Sequence, residues 1–232
     1  MRENEYGQPI GEAVALQLPA PRPERVTLTG GYCQLEPLDA AVHAPALFAA
    51  YGAAGDGRDW TYLSVGPFAT EAEYAGWAAT ASQQQDPLHF AVVERASGRP
   101  LGTLALLRQQ PEHAVIEVGF VVFSPEMQRT VMSTEAHFLL MRYAFETLGY
   151  RRYEWKCDSL NQPSRRAAER LGFAYEGTFR NAVVYKGRSR DTSWFSIVAA
   201  EWPDMRRGFE RWLTRDNFDA DGGQLSPLRV RG

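Results

Sequence analysis

Three strand-length apolar segments in a row restrict the fold more than any other feature of the chain: Leu88-His-Phe-Ala-Val-Val-Glu-Arg95, Pro100-Leu-Gly-Thr-Leu-Ala-Leu-Leu-Arg108 and Ala114-Val-Ile-Glu-Val-Gly-Phe-Val-Val-Phe123. A Ser97-Gly98 turn separates the first two and a Pro111-Glu112 turn the last two. Apolar runs of this length bounded by turn residues predict a three-strand meander.

Helices are predicted on both sides of the meander. Before it, Asp39 is placed to cap a helix running to Ala50, and Thr70-Glu-Ala-Glu73 is a capping box that opens a second helix with Tyr74, Trp77, Ala78 and Ala81 on its inner stripe. A first strand precedes both, in Val26 to Leu38. After the meander, the spacing of Ala136, Leu139, Leu140, Tyr143, Ala144, Thr147 and Leu148 predicts a helix from Thr134 to Leu148, stopped by Gly149. Arg152 to Cys157 then reads as a strand and Asn161 to Leu171 as a short helix. Strands at Tyr175 to Phe179 and Ser193 to Ala199 close the series, joined across Lys186-Gly-Arg-Ser-Arg190. The order β-α-α-β-β-β-α-β-α-β-β is a mixed α/β arrangement, not the strict alternation of a doubly wound dinucleotide fold.

One domain is expected from 25 to 202, since no Gly/Ser-rich or proline-rich linker divides it. Residues 1–24 read as an N-terminal extension. Residues 203–232 read as a helix with Met205, Phe209, Trp212 and Leu213 on one face, followed by an arm from 217. A net charge of -3 supplies no global field for nucleic acid or an anionic membrane, so neither partner is expected, and no apolar run approaches the length of a bilayer span. Two cysteines and the absence of a leader pattern predict a cytoplasmic chain with reduced thiols. The local charge is uneven: residues 151–190 hold ten Lys or Arg against four acids, a basic region that suits either a solvated face or an anion site.

Glu117 stands inside an otherwise apolar strand, where a carboxylate is costly unless paired or hydrated. It is either a general base in a partly apolar cleft or a structural carboxylate bonded to an Arg. Gln128 to Ser133 runs directly into a helix, whose free N–H groups suit an anion such as a pyrophosphate. Cys157, in an apolar strand with no His beside it, reads as a core thiol. His43, His89, His113 and His137 lack metal-ligand spacing, so no metal is predicted.

The strand at 152–157, the Asn161-x-x-Ser164 turn into a short helix and the closing Leu171-Gly-Phe173 resemble the GNAT N-acetyltransferase superfamily. Arg188-Ser-Arg-Asp191 and Trp194-Phe-Ser196 are similar to its branch of RimJ/RimL-type ribosomal-protein N-terminal acetyltransferases. The resemblance implies a GNAT-like fold and acetyl-CoA as co-substrate, with an amine acceptor attacking the thioester directly and the enzyme working as a monomer or homodimer. It implies that the backbone of Phe120, Val121, Val122 and Phe123 pairs with the pantetheine arm. Gln128, Arg129, Thr130, Val131, Met132 and Ser133 would cradle the pyrophosphate, and Asn161 would touch the cofactor arm. Arg129, Arg165 and Arg166 are placed either to meet the CoA phosphates or to face solvent. Glu117 falls at the position of the base, and Ser164 is the candidate proton donor to the leaving thiolate.

Two departures from the family pattern stand out. Val131 and Ser133 occupy places where the phosphate loop usually has glycine, and Ala168 stands where many members have a proton-donating tyrosine. They leave open a non-catalytic acyl-CoA-binding regulatory module, or an interaction domain that keeps only the fold. For the acceptor side, Trp60, Tyr62 and Phe68 either wall a cleft or form core beneath a long loop, and Tyr185 and Lys186 on the last hairpin are further candidates.

Overall fold

A computed structural model describes residues 2–53, 55–220 and 222–231. Eight strands of one mixed sheet, in the order β3-β4-β5-β6-β7-β8-β10-β9, form its centre. They are β3 (Leu28–Thr29), β4 (Cys33–Pro37), β5 (Leu88–Glu94), β6 (Pro100–Gln110), β7 (Val115–Phe123), β8 (Arg152–Asp158), β9 (Ala174–Tyr185) and β10 (Arg188–Val198). A separate exposed pair, β1 (Arg2–Glu3) with β2 (Pro9–Ile10), lies near the N-terminus. Every pairing in the main sheet is antiparallel except β7 with β8.

The sheet separates two apolar clusters. On one face α1 (Ala40–Gly52) and α2 (Glu71–Gln83) cover Ala91, Val93 and Val122. On the other, α3 (Val131–Arg142) and α5 (Trp202–Trp212) enclose the larger core around Phe90, Leu104, Ile116, Phe138 and Phe195. α4 (Gln162–Arg170) contributes Ala168 to that larger core. The caps form where the sequence places them. Asp39 accepts the N–H groups of Ala41 and Val42, and Thr70 Oγ1 accepts that of Glu73 at 3.2 Å while Glu73 reaches back to Ala69 at 2.9 Å.

Three elements differ from the sequence expectation. The helix expected from Thr134 begins at Val131, because Thr130 is its N-cap and accepts the Ser133 N–H. Past Arg142 the helix widens into a π-helical turn over Tyr143–Thr147. The last two strands, of 12 and 11 residues, are longer than expected and form one long hairpin. The described residues beyond 217 are not a free arm. Trp212 Nε1 donates to Ser226 O at 3.0 Å, Val230 is buried, and the Gly208 Cα lies so close to the tail that a Cβ would meet Arg229 O at 2.6 Å. Among the described residues no helix is long and apolar enough to cross a membrane.

The β3–β4 turn is tied to α3 by a single buried carboxylate. Glu135 accepts the N–H groups of Gly31, Tyr32 and Cys33, each at 2.7 Å, and a Cβ at residue 30 would fall 2.5 Å from its carboxyl carbon, which requires the glycine there.

Candidate active site

β7 and β8 run in parallel register from Val115 opposite Arg152 to Val118 opposite Trp155, and there the pairing stops. The cause lies on the other edge of β7. Its register with β6 slips between Thr103 and Ala105, and Phe120 takes a left-handed φ of 49°, so the strand bulges and turns away from β8. β8 continues to Asp158 paired only with β10. The backbone edge of residues 119–123 facing β8 therefore has no strand partner, and a cleft of about 600 Å³ opens between the parted strands.

Glu117 sits at the base of this cleft, 5% exposed. Its Oε2 is 2.8 Å from Lys156 Nζ and 3.3 Å from Arg108 Nε. Burial pushes its carboxyl above the usual carboxylate range, opposed by Lys156 and Arg108. The carboxylate is thus both paired and cleft-facing.

On the far wall, Asn161 caps α4 by accepting the Ser164 N–H at 3.1 Å, and Ser164 Oγ accepts from Trp155 Nε1 at 3.0 Å. Asn161, Ser164 and Ala167 line the cleft, and the Ser164 hydroxyl also bonds the Cys157 thiol beside it. Ala168 is fully buried in the core and is not among the residues lining this cleft. Cys157 is buried and burial raises its thiol, which suits a packing role.

Of residues 120–123 and 128–133, the β7 residues and Gln128 line the cleft, with Gln128 Nε2 donating to Phe123 O at 2.9 Å. Arg129 (φ 62°) makes the left-handed turn before α3, while Val131, Met132 and Ser133 are its first helical residues and Met132 is buried. Positive φ falls on Arg129. The conformational freedom of glycine is therefore not needed at Val131 or Ser133, and the N–H groups of the first helical turn remain without intrahelical acceptors.

Arg165 turns the other way. Its Nη1 donates to Ser193 Oγ at 2.5 Å and its guanidinium lies 5.1 Å from the Tyr175 ring, so it braces α4 on the β9–β10 hairpin and does not reach the cleft. Arg129 and Arg166 are exposed.

The acceptor-side residues divide. Tyr62 and Tyr185 line the cleft, Tyr62 donating to Leu160 O at 3.4 Å and Tyr185 to Asp158 Oδ2 at 2.8 Å. Trp60 does not line it. The indole is 6% exposed, packed edge-on to Tyr51 and Phe68 and against Gly66, where a Cβ would come within 2.5 Å of the ring. Apolar burial against α1 and α2 takes Trp60 and Phe68 out of the cleft. Lys186 still binds the loop, by donating to Trp60 O at 2.8 Å and Val65 O at 3.1 Å, and Arg188 donates to Thr61 O at 2.7 Å. These bonds fasten the hairpin tip over the cleft.

Arg108, His137, Lys156, Asp158 and Trp194 also line the cleft, with Glu154 bonded to Lys156, and the sequence alone gives none of them a role there. Lys156 carries a single sequence signal, its rarity as one of two lysines in the chain. His137, inside α3, has its ring 5.1 Å from Trp155 and lines the cleft from behind. Burial takes its imidazole down to about 3.

A stability prediction follows from that burial. Between pH 6.5 and the folded value, the unfolded chain holds a proton on residue 137 that the folded chain does not, so stability falls as pH falls through this window. His137→Leu is expected to reduce the loss of urea stability between pH 6.5 and pH 4 by about 3 kcal/mol, at up to 1.4 kcal/mol per pH unit. An unchanged slope would show that His137 is not kept neutral by the fold.

The acetyltransferase (GNAT) domain family model matches residues 33–174, which contain β4 through the start of β9 and hence the parted strands and α4. The chain belongs to the GNAT acetyltransferase family. A GCN5-related N-acetyltransferase from Brucella melitensis has the same fold at a TM-score of 0.90, with 46% identity over 93% of this chain and 97% of that one. A relative from Bacillus subtilis, named "Uncharacterized N-acetyltransferase YoaA", is 26% identical over 50% of this chain and 65% of its own length. A second Bacillus subtilis relative, named "Putative ribosomal N-acetyltransferase YdaF", is 29% identical over 45% of this chain and 57% of its own. The chain thus spans 65% and 57% of the length of these two relatives.

Proposed function

We propose that the chain is an acetyl-CoA-dependent N-acetyltransferase that passes the acetyl group to a primary amine by direct attack, without an acyl-enzyme. The observation that carries this reading is the parting of β7 from β8 after Val118, with Glu117 at the base of the opening. An unpaired strand edge suits an amide-bearing chain such as pantetheine, which can add to it as a further strand. The α3 N-terminus and exposed Arg129 and Arg166 suit the phosphates. When bound, acetyl-CoA supplies the activated acetyl group.

The remaining work falls to the protein. Phe120 to Phe123 hold the arm, with Gln128 and the first turn of α3 at the phosphates and Asn161 at the arm's other side. Glu117 takes a proton from the attacking amine, and the Ser164 hydroxyl, its oxygen already engaged by Trp155, is oriented to give one to the leaving thiolate. Tyr62 and Tyr185 line the acceptor end. The relative named for ribosomal N-acetylation makes a protein N-terminal amine the first acceptor class to test, with small-molecule amines second.

Acetyl-CoA at about 100 times its dissociation constant is expected to add roughly 2.7 kcal/mol of stability in thermal unfolding. Thiol release should then follow on at least one member of a panel of N-terminal peptides and small amines. No stabilisation at millimolar acetyl-CoA would remove the cofactor assignment. Stabilisation without release on any acceptor would favour the non-catalytic module.

A further inference from the structure

We propose that Lys156 is a positioning residue for the transfer, its ammonium holding Glu117 as an ionised carboxylate aimed into the cleft. The parallel register sets Glu117 directly opposite Glu154, so two carboxylates, each under a tenth exposed, stand side by side on neighbouring strands. Like charges this close and this desolvated do not both ionise unless a cation lies between them. Lys156, two residues beyond Glu154 on the same face of β8, is that cation, with Nζ 2.8 Å from Glu117 Oε2 and 2.8 Å from Glu154 Oε2. Its side chain is 6% exposed, unusual for lysine. The Trp194 indole, paired opposite on β10, covers the ammonium at 3.8 Å.

The surrounding charges leave Lys156 as the controlling one. Glu154 is also held by Arg152 at 2.7 Å, and Arg152 is in turn held by Glu176 of β9. Arg108 of β6 also reaches Glu117, but at 3.3 Å and with 59% of its side chain exposed, so water screens it. Asp59 of the loop after α1, Asp158 of β8, and Tyr185 and Arg190 of the hairpin line the same cleft. An ionised Glu117 at neutral pH is what an amine-deprotonating base requires. This inference rests on the reading of Glu117 as that base.

The test titrates the Glu117 carboxyl by NMR in the free, full-length protein with isotopically labelled glutamate, its resonance identified by its loss in Glu117→Gln. The Lys156→Met midpoint is expected to lie at least about one pH unit above that of the parent protein, with Lys156→Arg within about half a unit. The acid limb of kcat/KM, measured with the best acceptor of the panel, should move with it. Coincident midpoints in Lys156→Met and the parent overturn the proposal, as does an activity loss that is uniform across pH. Should Lys156→Met fail to fold, Glu154→Gln decides, because it gives Lys156 to Glu117 alone and is expected to lower the midpoint; an unmoved or raised midpoint overturns the proposal. Full turnover by Glu117→Gln marks failure of the base reading. An unmoved midpoint beside an inactive Glu117→Gln marks failure of the Lys156 inference alone.

Discussion

Glu117→Gln is expected to lower kcat/KM by about 10²-fold or more while leaving acetyl-CoA affinity within about threefold. The amide has the shape of the carboxylate and still meets Lys156 and Arg108, so the cleft keeps its form, but it cannot accept a proton from an attacking amine. The affinity expectation follows from position: the proposed cofactor edge begins beyond the last β7–β8 pair at Val118, whereas Glu117 precedes it. The pH dependence has a definite sign. Burial raises the Glu117 carboxyl, so activity in the unaltered protein falls as pH drops through a value above the ordinary carboxylate range, and this limb disappears in the variant. Parallel losses in turnover and in acetyl-CoA binding would instead make Glu117 a structural anchor. Full turnover would move the base elsewhere, and a water in the cleft would be the next candidate.

Glu135→Ala is expected to cost about 3 kcal/mol of folding stability, a large part of the 5–15 kcal/mol typical of a domain. One carboxylate serves three backbone N–H groups at the β3–β4 turn, at 2.7 Å each. Alanine removes all three acceptor contacts and leaves a void beneath Gly30. Glu135→Gln is expected to be damaging too, since its NH₂ group would face N–H donors. Urea unfolding measures the effect: the midpoint should fall with little change in slope, and a loss below about 1 kcal/mol would mean that water satisfies the turn in the variant. Because α3 also carries the first-turn N–H groups proposed to meet phosphate, Glu135→Ala is also expected to weaken acetyl-CoA binding.

Most of the element order was legible because it depends on local patterns. The Asp39 and Thr70 caps, the meander and the α5 stripe each come from spacings within one element, and the structure forms all of them. The helix start at Val131 was misplaced by three residues, since Thr130, Ser133 and Thr134 all carry capping hydroxyls and only the backbone angle at Thr130 selects among them. Trp60 illustrates a different limit. An aromatic in a long loop has no period to report its facing, and packing against Tyr51, Phe68 and Gly66 settled it. Arg165 likewise reads as an anion partner by charge and position, but the long hairpin brings Ser193 and Tyr175 to it first.

By itself the sequence determined the class of fold, the family resemblance over Asn161 to Phe173, and Glu117 as an anomaly in an apolar strand. Those are properties of composition and of short spacings, which the chain carries before it folds. The tertiary structure alone decided what Glu117 is beside. The parallel register of β7 with β8 brings Lys156 and Glu154 to it from 37 or more residues away, and the bulge at Phe120 opens the cleft on which they border. Pairing between distant strands is set by global packing and by slips of register, and neither leaves a local pattern in the residues concerned.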